Sequence, residues 1–334
     1  MTAGRRARHE SLSAFLASRA DAELAALVDA GRPGGVGVGG GSATIDVGGV
    51  PVFVKRVPLT DRELAHPRST ANLFDLPLFC QYGVASPGFN AWRELAANLD
   101  VTGAVLAGET ESFPLLHHWR VLPGRPPVAD EFADVEGVVA ALGGSPAVRA
   151  RLEALAAATH SLVLCCEHIP YPVADWLDDD PVGKAGAVER QFAEIVASLR
   201  RRELLHMDGH FGNVRTDGER LYLTDFGLAT SPRFDLSDAE RDFVRRNAAH
   251  DADYAAMRLV NWLVTSVCGV TTPAGGAPAA RNDYVRRCAE GHIPSDVPPA
   301  VAAVLARHAP AAAMMNAFYW RLFDGETDAE YPGR

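Results

Sequence analysis

A chain of 334 residues with 48% hydrophobic side chains can bury a large core or fold as two lobes around a cleft. Its formal net charge of −10 argues against general binding to nucleic acid or to an anionic membrane, and no apolar run is long enough to insert into one. Five scattered cysteines without a C-x-x-C pair argue against a disulfide framework, and with no signal-peptide pattern the expected compartment is the cytoplasm.

Residues 8–30 carry the pattern of one amphipathic helix, ended by Gly31-Arg32-Pro33-Gly34. A glycine-rich stretch follows and turns β-prone, with Gly48-Gly49 placed as a hairpin turn between ATIDV and VPVFVKRV. The second of these strands sets Phe53 and Lys55 on one face and Val52 and Val54 on the other. Residues 60–90 lack clean periodicity and read as an irregular connection. A helix carrying Glu94 begins near Trp92, residues 113–122 form a strand candidate, and residues 130–160 are patterned as helix. The run SLVLCCEHIP is again β-prone, with Cys165 and Cys166 expected as buried thiols, and YPVADWLDDD reads as a crossover between lobes. Beyond it, Val188, Phe192, Ile195 and Leu199 mark one helical stripe. Helices are expected at 251–268 and 311–323, separated by a loop at 271–280 and a further helical stretch after Pro298-Pro299.

The chemistry is concentrated in His206-Met207-Asp208-Gly209-His210-Phe211-Gly212-Asn213 and in Thr224-Asp225-Phe226-Gly227. Asp208 is a carboxylate suited to orient an acceptor hydroxyl and take its proton. Asn213 and Asp225 offer hard oxygen atoms of the kind magnesium accepts. Alone, each has a bland reading as a turn cap or solvated side chain; the set is what points to phosphoryl transfer from ATP with Mg2+. Lys55, one of only two lysines, is placed to contact phosphates, with Glu94 as its expected partner and Glu63 as the competitor. Gly35, Gly37 and Gly40 fit G-x-G-x-x-G and lead into a β segment rather than a helix, which favours a phosphate-covering loop over a dinucleotide fold. His206 reads as a structural brace, His210 as a weaker phosphate or acceptor contact, and the His206-Asp208-His210 cluster lacks a zinc spacing.

These motifs resemble those of the protein-kinase-like superfamily. VFVK at 52–55 is similar to its nucleotide-binding lysine strand, HMDGHFGN at 206–213 to its catalytic loop and TDFG at 224–227 to its metal-binding segment. SLVLCCEH at 161–168 resembles the approach to its hinge, which implies adenine contacts from backbone groups around Glu167, His168 and Ile169. Met207 and His210 depart from the protein-kinase pattern, and the H-x-D-x-H-x-G-N form looks more like aminoglycoside and other small-molecule phosphotransferases. The resemblance implies an α+β bilobal fold with a small β-rich lobe and a larger helical lobe. Residues 1–33 are expected as a helical extension, 34–169 as the small nucleotide-binding lobe and 170–334 as the large acceptor-binding lobe. The implied activity is transfer of the γ-phosphoryl group to a hydroxyl acceptor, with a lean toward protein serine or threonine from TDFG. A small-molecule acceptor and a nucleotide-binding pseudokinase are the alternatives, and the acidic DWLDDD patch would suit a basic acceptor.

Overall fold

The structure is a computed structural model that describes residues 2–37, 39–273 and 277–333. Part of the loop expected at 271–280 and one position within the glycine-rich motif lie outside these residues. Among those described, the chain builds a small β-rich lobe and a larger helical lobe, the bilobal α+β architecture expected.

The helix expected over 8–30 is two helices, α1 (Ala3–Ala17) and α2 (Asp21–Asp29). The break at Ser18–Ala20 follows from local capping: the Glu23 carboxylate accepts the Ala20 N–H at 2.9 Å and starts a new helix. Both helices lie on one face of an antiparallel sheet of strands β1 (Arg32–Gly37), β2 (Gly40–Val47), β3 (Val50–Leu59), β4 (Leu116–Pro123) and β5 (His160–Glu167). The strand order is β1-β2-β3-β5-β4. Gly48 and Gly49 take φ of 62° and 84°, the left-handed values that a two-residue hairpin turn between Val47 and Val50 requires.

Alternation along β3 then decides what each face meets. Val52 and Val54 join Leu12, Leu16, Leu24 and Val28 under α1 and α2. Val57 and Leu59, in phase with Lys55, pack with Leu162 and Leu164 against Trp92 and Leu95 of α4 (Ala91–Leu106). A short α3 (Asp61–Ala65) precedes the irregular segment to Asn90, and α5 (Val135–Ala141) and α6 (Pro146–Ala157) close a small core over Phe74, Leu76 and Phe89.

In the other lobe a small sheet of β6 (Tyr171–Pro172), β7 (Val214–Thr216) and β8 (Leu221–Leu223) accompanies α7 (Val173–Asp178) and α8 (Pro181–Arg201). Val188, Phe192, Ile195 and Leu199 of α8 are buried in the largest core, as their spacing predicts. That core is completed by α9 (Asp238–Arg246), α10 (His250–Ser266), α11 (Ala279–Ala289) and α12 (Pro299–Phe323). The two helices expected around Pro310 are one. Proline removes a backbone donor, yet Pro310 and Ala306 lie on the exposed side, where water can satisfy the carbonyl, while Ala309, Ala311, Ala312 and Met315 are buried. Asn261 of α10 and Asn316 of α12 exchange side-chain amide hydrogen bonds at 2.8 and 3.0 Å.

The lobes are tied by polar contacts, one of them buried. Arg93 of α4 pairs with Glu240 of α9 at 2.6 Å, and Thr70 donates to Asp235 through its backbone N–H at 3.0 Å. Among the described residues no helix is long and apolar enough to cross a membrane.

Candidate functional site

A cleft of about 1570 Å³ between the lobes is lined by Lys55, Glu94, Asp208, Asn213 and Asp225 together with the glycine-rich hairpin. Lys55 projects from β3 into it, and its Nζ donates to Glu94 Oε1 and to Asp225 Oδ1, each at 2.7 Å. Burial alone would lower the Lys55 ammonium, but Asp225 and Glu94 outweigh it and hold its pKa above the ordinary value. The two carboxylates share one cation unequally. Burial pushes Glu94 up to about 7 against the pull of Lys55, whereas Lys55 keeps Asp225 below the usual carboxylate range despite desolvation.

The competitor Glu63 is committed elsewhere. Its carboxylate accepts the Thr60 N–H at 2.9 Å and the Ala91 N–H at 2.8 Å, so it caps α3 and the start of α4. Arg151 pairs with it at 2.9 Å.

The segment bearing Asp208 is held from below. Both Asp251 oxygens accept backbone N–H groups, His206 at 2.6 Å and Met207 at 2.9 Å. His206 accepts the Asp208 N–H at Nδ1 (3.2 Å), so Nε2 carries the proton it donates to the Thr224 carbonyl at 3.0 Å. That neutral tautomer agrees with the lowering of the His206 pKa by burial, and its role is the brace expected. Met207 and Asp225 adopt φ of 68° and 61°, left-handed values that non-glycine residues hold only when the surroundings enforce them.

Asn213 Nδ2 donates to the Asp208 carbonyl at 2.9 Å and to Asp208 Oδ2 at 3.2 Å, which turns its Oδ1 away from Asp208. Asp225 Oδ1 is taken by Lys55 and by the Gly227 N–H at 3.2 Å, leaving Oδ2 on the side of the glycine-rich hairpin. Burial, then the neighbouring Asp225, pushes the Asp208 carboxyl up to about 7. Among the described residues, no three His, Cys, Asp or Glu side chains form a ready metal-binding group.

The hairpin glycines differ in what they allow. A Cβ on Gly40 would sit 2.1 Å from the Arg56 carbonyl, and its φ of 114° already excludes other residues. Gly35, at φ 126°, and Gly37 face open space. Gly39, which the spacing motif did not select, lies over the charged group: a Cβ there would be 2.8 Å from Lys55 Nζ and 3.5 Å from Asp225 Oδ2.

Glu167, His168 and Ile169 line the cleft, but some of their polar groups are engaged. The Glu167 N–H donates to the Leu115 carbonyl at 2.8 Å, and the Ile169 carbonyl accepts from Arg215 at 3.1 and 3.2 Å. The Glu167 carboxylate is gripped by Arg5 of α1, with Nη2 at 2.6 Å. Any adenine contact here must therefore use the remaining backbone atoms. Cys165 is buried as expected; Cys166 is half-buried and lines the cleft.

Spacing did not flag Asp251, Gly39, Gly83, Arg258 or Arg281. Gly83, at φ 81°, brings the 82–90 segment against Asp208, where a Cβ would lie 3.5 Å from Oδ1. Asp251 lies 43 residues beyond Asp208, and only folding brings α10 beneath the loop. Conversely, none of the four carboxylates of DWLDDD lines the cleft; Asp180 instead caps α8 by accepting the Gly183 N–H at 2.9 Å. Compared with known families and with curated proteins, the chain matches no family model and no curated sequence.

Proposed function

We propose that this chain is an ATP-dependent phosphotransferase that moves a γ-phosphoryl group to a hydroxyl acceptor. The observation carrying this reading is the convergence of Lys55, Asp208, Asn213 and Asp225, from three separate stretches, on one cleft between two lobes. In this reading Lys55, fixed by Glu94, holds phosphate oxygens as a permanent cation. Gly35 and Gly37 line the cleft with open space where a side chain would stand, Gly40 sets the hairpin, and Gly39 lets the chain pass close to the ammonium.

Asn213 Oδ1 and Asp225 Oδ2 are hard donors that fit magnesium and would hold it; there it would neutralise charge on the phosphate oxygens. Asp208 aligns the acceptor hydroxyl and receives its proton. A carboxyl titrating near neutrality is matched to that task, because it is ionised in a useful fraction yet basic enough to accept. Asn213, bonded to Asp208, keeps the carboxylate in one orientation. Glu167 and Ile169 form the adenine end of the cleft.

A small hydroxylated molecule is the acceptor class we favour over protein serine or threonine. The wall beside Asp208 is built by α10, α11 and the end of α12, which supply Met257, Asn282, Tyr319 and Trp320 to the lining of the cleft, a side-chain-lined recess suited to a small molecule. The test is turnover of ATP with a divalent ion across a panel of hydroxyl compounds, following product mass. Transfer that disappears in Asp208→Asn is the expected result; full transfer in that variant refutes the role given to Asp208, and binding of nucleotide without transfer to any acceptor favours a pseudokinase.

A further inference from the structure

The two halves of the cleft differ in their unpaired charge. Arg125, Arg151 and Arg215 line it and are engaged: Arg125 by the Pro126 carbonyl at 2.9 Å, Arg151 by Glu63 and Arg215 by the carbonyls of Ile169 and Pro170. Arg258 of α10 and Arg281 of α11 line the half nearest Asp208 and are not held in this way. The Nε atom of each is buried without a hydrogen-bond partner among the described residues. Arg281 reaches only Asn282 Oδ1, at 3.4 Å, and Arg258 lies over the Phe211 ring, 5.5 Å from its centroid. Neither forms an ion pair among the described residues.

Burial, then the charge of Arg258, lowers the Arg281 pKa, so the two guanidinium groups repel across the recess. Unpaired charge of one sign in a partly desolvated site costs stability unless an opposite charge arrives. It stands out further in a chain whose formal net charge is −10. The edge of the same recess carries Trp320 and Phe323, 41% and 65% exposed. The total volume, about 1570 Å³, exceeds the roughly 300–1,000 Å³ of a single small-ligand pocket, so the cleft has room for a second molecule beside a nucleotide.

We propose that Arg258 and Arg281 form an anion-recognition fork and that the acceptor is a small hydroxy compound carrying a carboxylate or phosphate, its apolar part lying against Trp320 and Phe323. The identification of this occupant as the acceptor rests on the phosphotransferase reading. Arginine suits the task because its planar fork binds carboxylate and phosphate oxygens in pairs. The anionic end anchored at α10 and α11 leaves the hydroxyl toward Asp208, whose carboxylate already feels Arg258.

The test is a fragment screen by ligand-observed NMR on the full chain, with hydroxyl compounds divided equally among carboxylates, phosphates, neutral amides and amines. Anionic fragments should dominate the hits, and a matched set of 4-(hydroxymethyl)benzoate, its amide and 4-(hydroxymethyl)benzylamine should rank in that order. In Arg258→Gln/Arg281→Gln the anion binding should fall about ten- to a hundredfold, the range for losing hydrogen bonds to a charged group. ATP–magnesium affinity should stay within about twofold. Should the double variant not fold, Arg281→Gln alone gives the same reading. A hit set without anionic bias, an empty one included, overturns the proposal. So does an equal loss of nucleotide affinity in the variants, which would place both arginines in the triphosphate site. Anion binding at the fork without transfer from ATP to any fragment breaks the phosphotransferase reading and leaves the anion site standing.

Discussion

The Lys55 half of the cleft, proposed to take the nucleotide, and the Arg281 half, proposed to take the acceptor, are built on opposite electrostatic terms. Around Lys55 every charge meets a partner: one ammonium, two carboxylates at 2.7 Å, a backbone N–H on Asp225. Around Arg281 the charges are left open. A self-satisfied cluster keeps its geometry without a ligand, which is what positioning a triphosphate demands. An unsatisfied one gains most when a ligand of opposite charge fills it, which is what selecting an acceptor demands.

The largest expected break of this contrast is Asp208→Asn, which should lower kcat by about 10²–10⁴ through loss of the proton acceptor. The pH profile sharpens it: with Asp208 titrating at about 7, the rate should fall about tenfold per unit below that pH and level off above it, as seen in initial rates. The same substitution should raise stability. A carboxyl whose folded pKa is raised costs nothing below its unfolded value near 4 and becomes destabilising as pH climbs through 7. Urea midpoints of Asp208→Asn should therefore exceed those of the native chain at pH 8, by about 1 kcal/mol or more, and converge toward pH 4. Equal midpoints at both pH values would show that the site does not strain this carboxylate.

Next comes the pair that ties the lobes. Arg93→Met leaves Glu240 buried and unpaired, and should cost about 3–5 kcal/mol in urea unfolding. Because Arg93 adjoins Glu94, nucleotide affinity should weaken with it; affinity unchanged in the folded variant would show that α4 is held by packing alone.

Smaller effects separate the glycines. Gly39→Ala should raise the KM for ATP about tenfold by pressing a methyl on Lys55 Nζ, with little loss of stability. Gly37→Ala, with open space around it, should leave both KM and kcat within about twofold. Reversal of that order in steady-state kinetics would move the phosphate-covering role from Gly39 to Gly37.

Much of the first half could be read from residue order. Period-two alternation put Lys55 opposite Val52 and Val54, and the Gly48-Gly49 turn fixed the register that keeps it there. Asp208 and Asn213 are five residues apart, close enough for their hydrogen bonds to form within one loop. The α8 stripe was equally plain. Less was visible where partners are remote or where capping competes with periodicity. The local cap at Ala20 and Glu23 that starts a new helix after α1 was outweighed by the apolar pattern, and nothing local announces that helix continues through Pro310 or that Arg5 reaches the Glu167 carboxylate.

The sequence by itself determined which groups exist for chemistry and, through strand and loop spacing, how neighbouring ones face. Tertiary structure alone decided which distant charges meet. It gave Lys55 to Glu94 rather than Glu63 because Glu63 caps two helices, set Asp251 beneath the Asp208 loop, and left the buried Nε atoms of Arg258 and Arg281 without a hydrogen-bond partner among the described residues. The reason is physical: short-range pattern fixes direction along a strand or helix, whereas pairing of buried charges depends on desolvation and distance, which come into being only when the lobes pack.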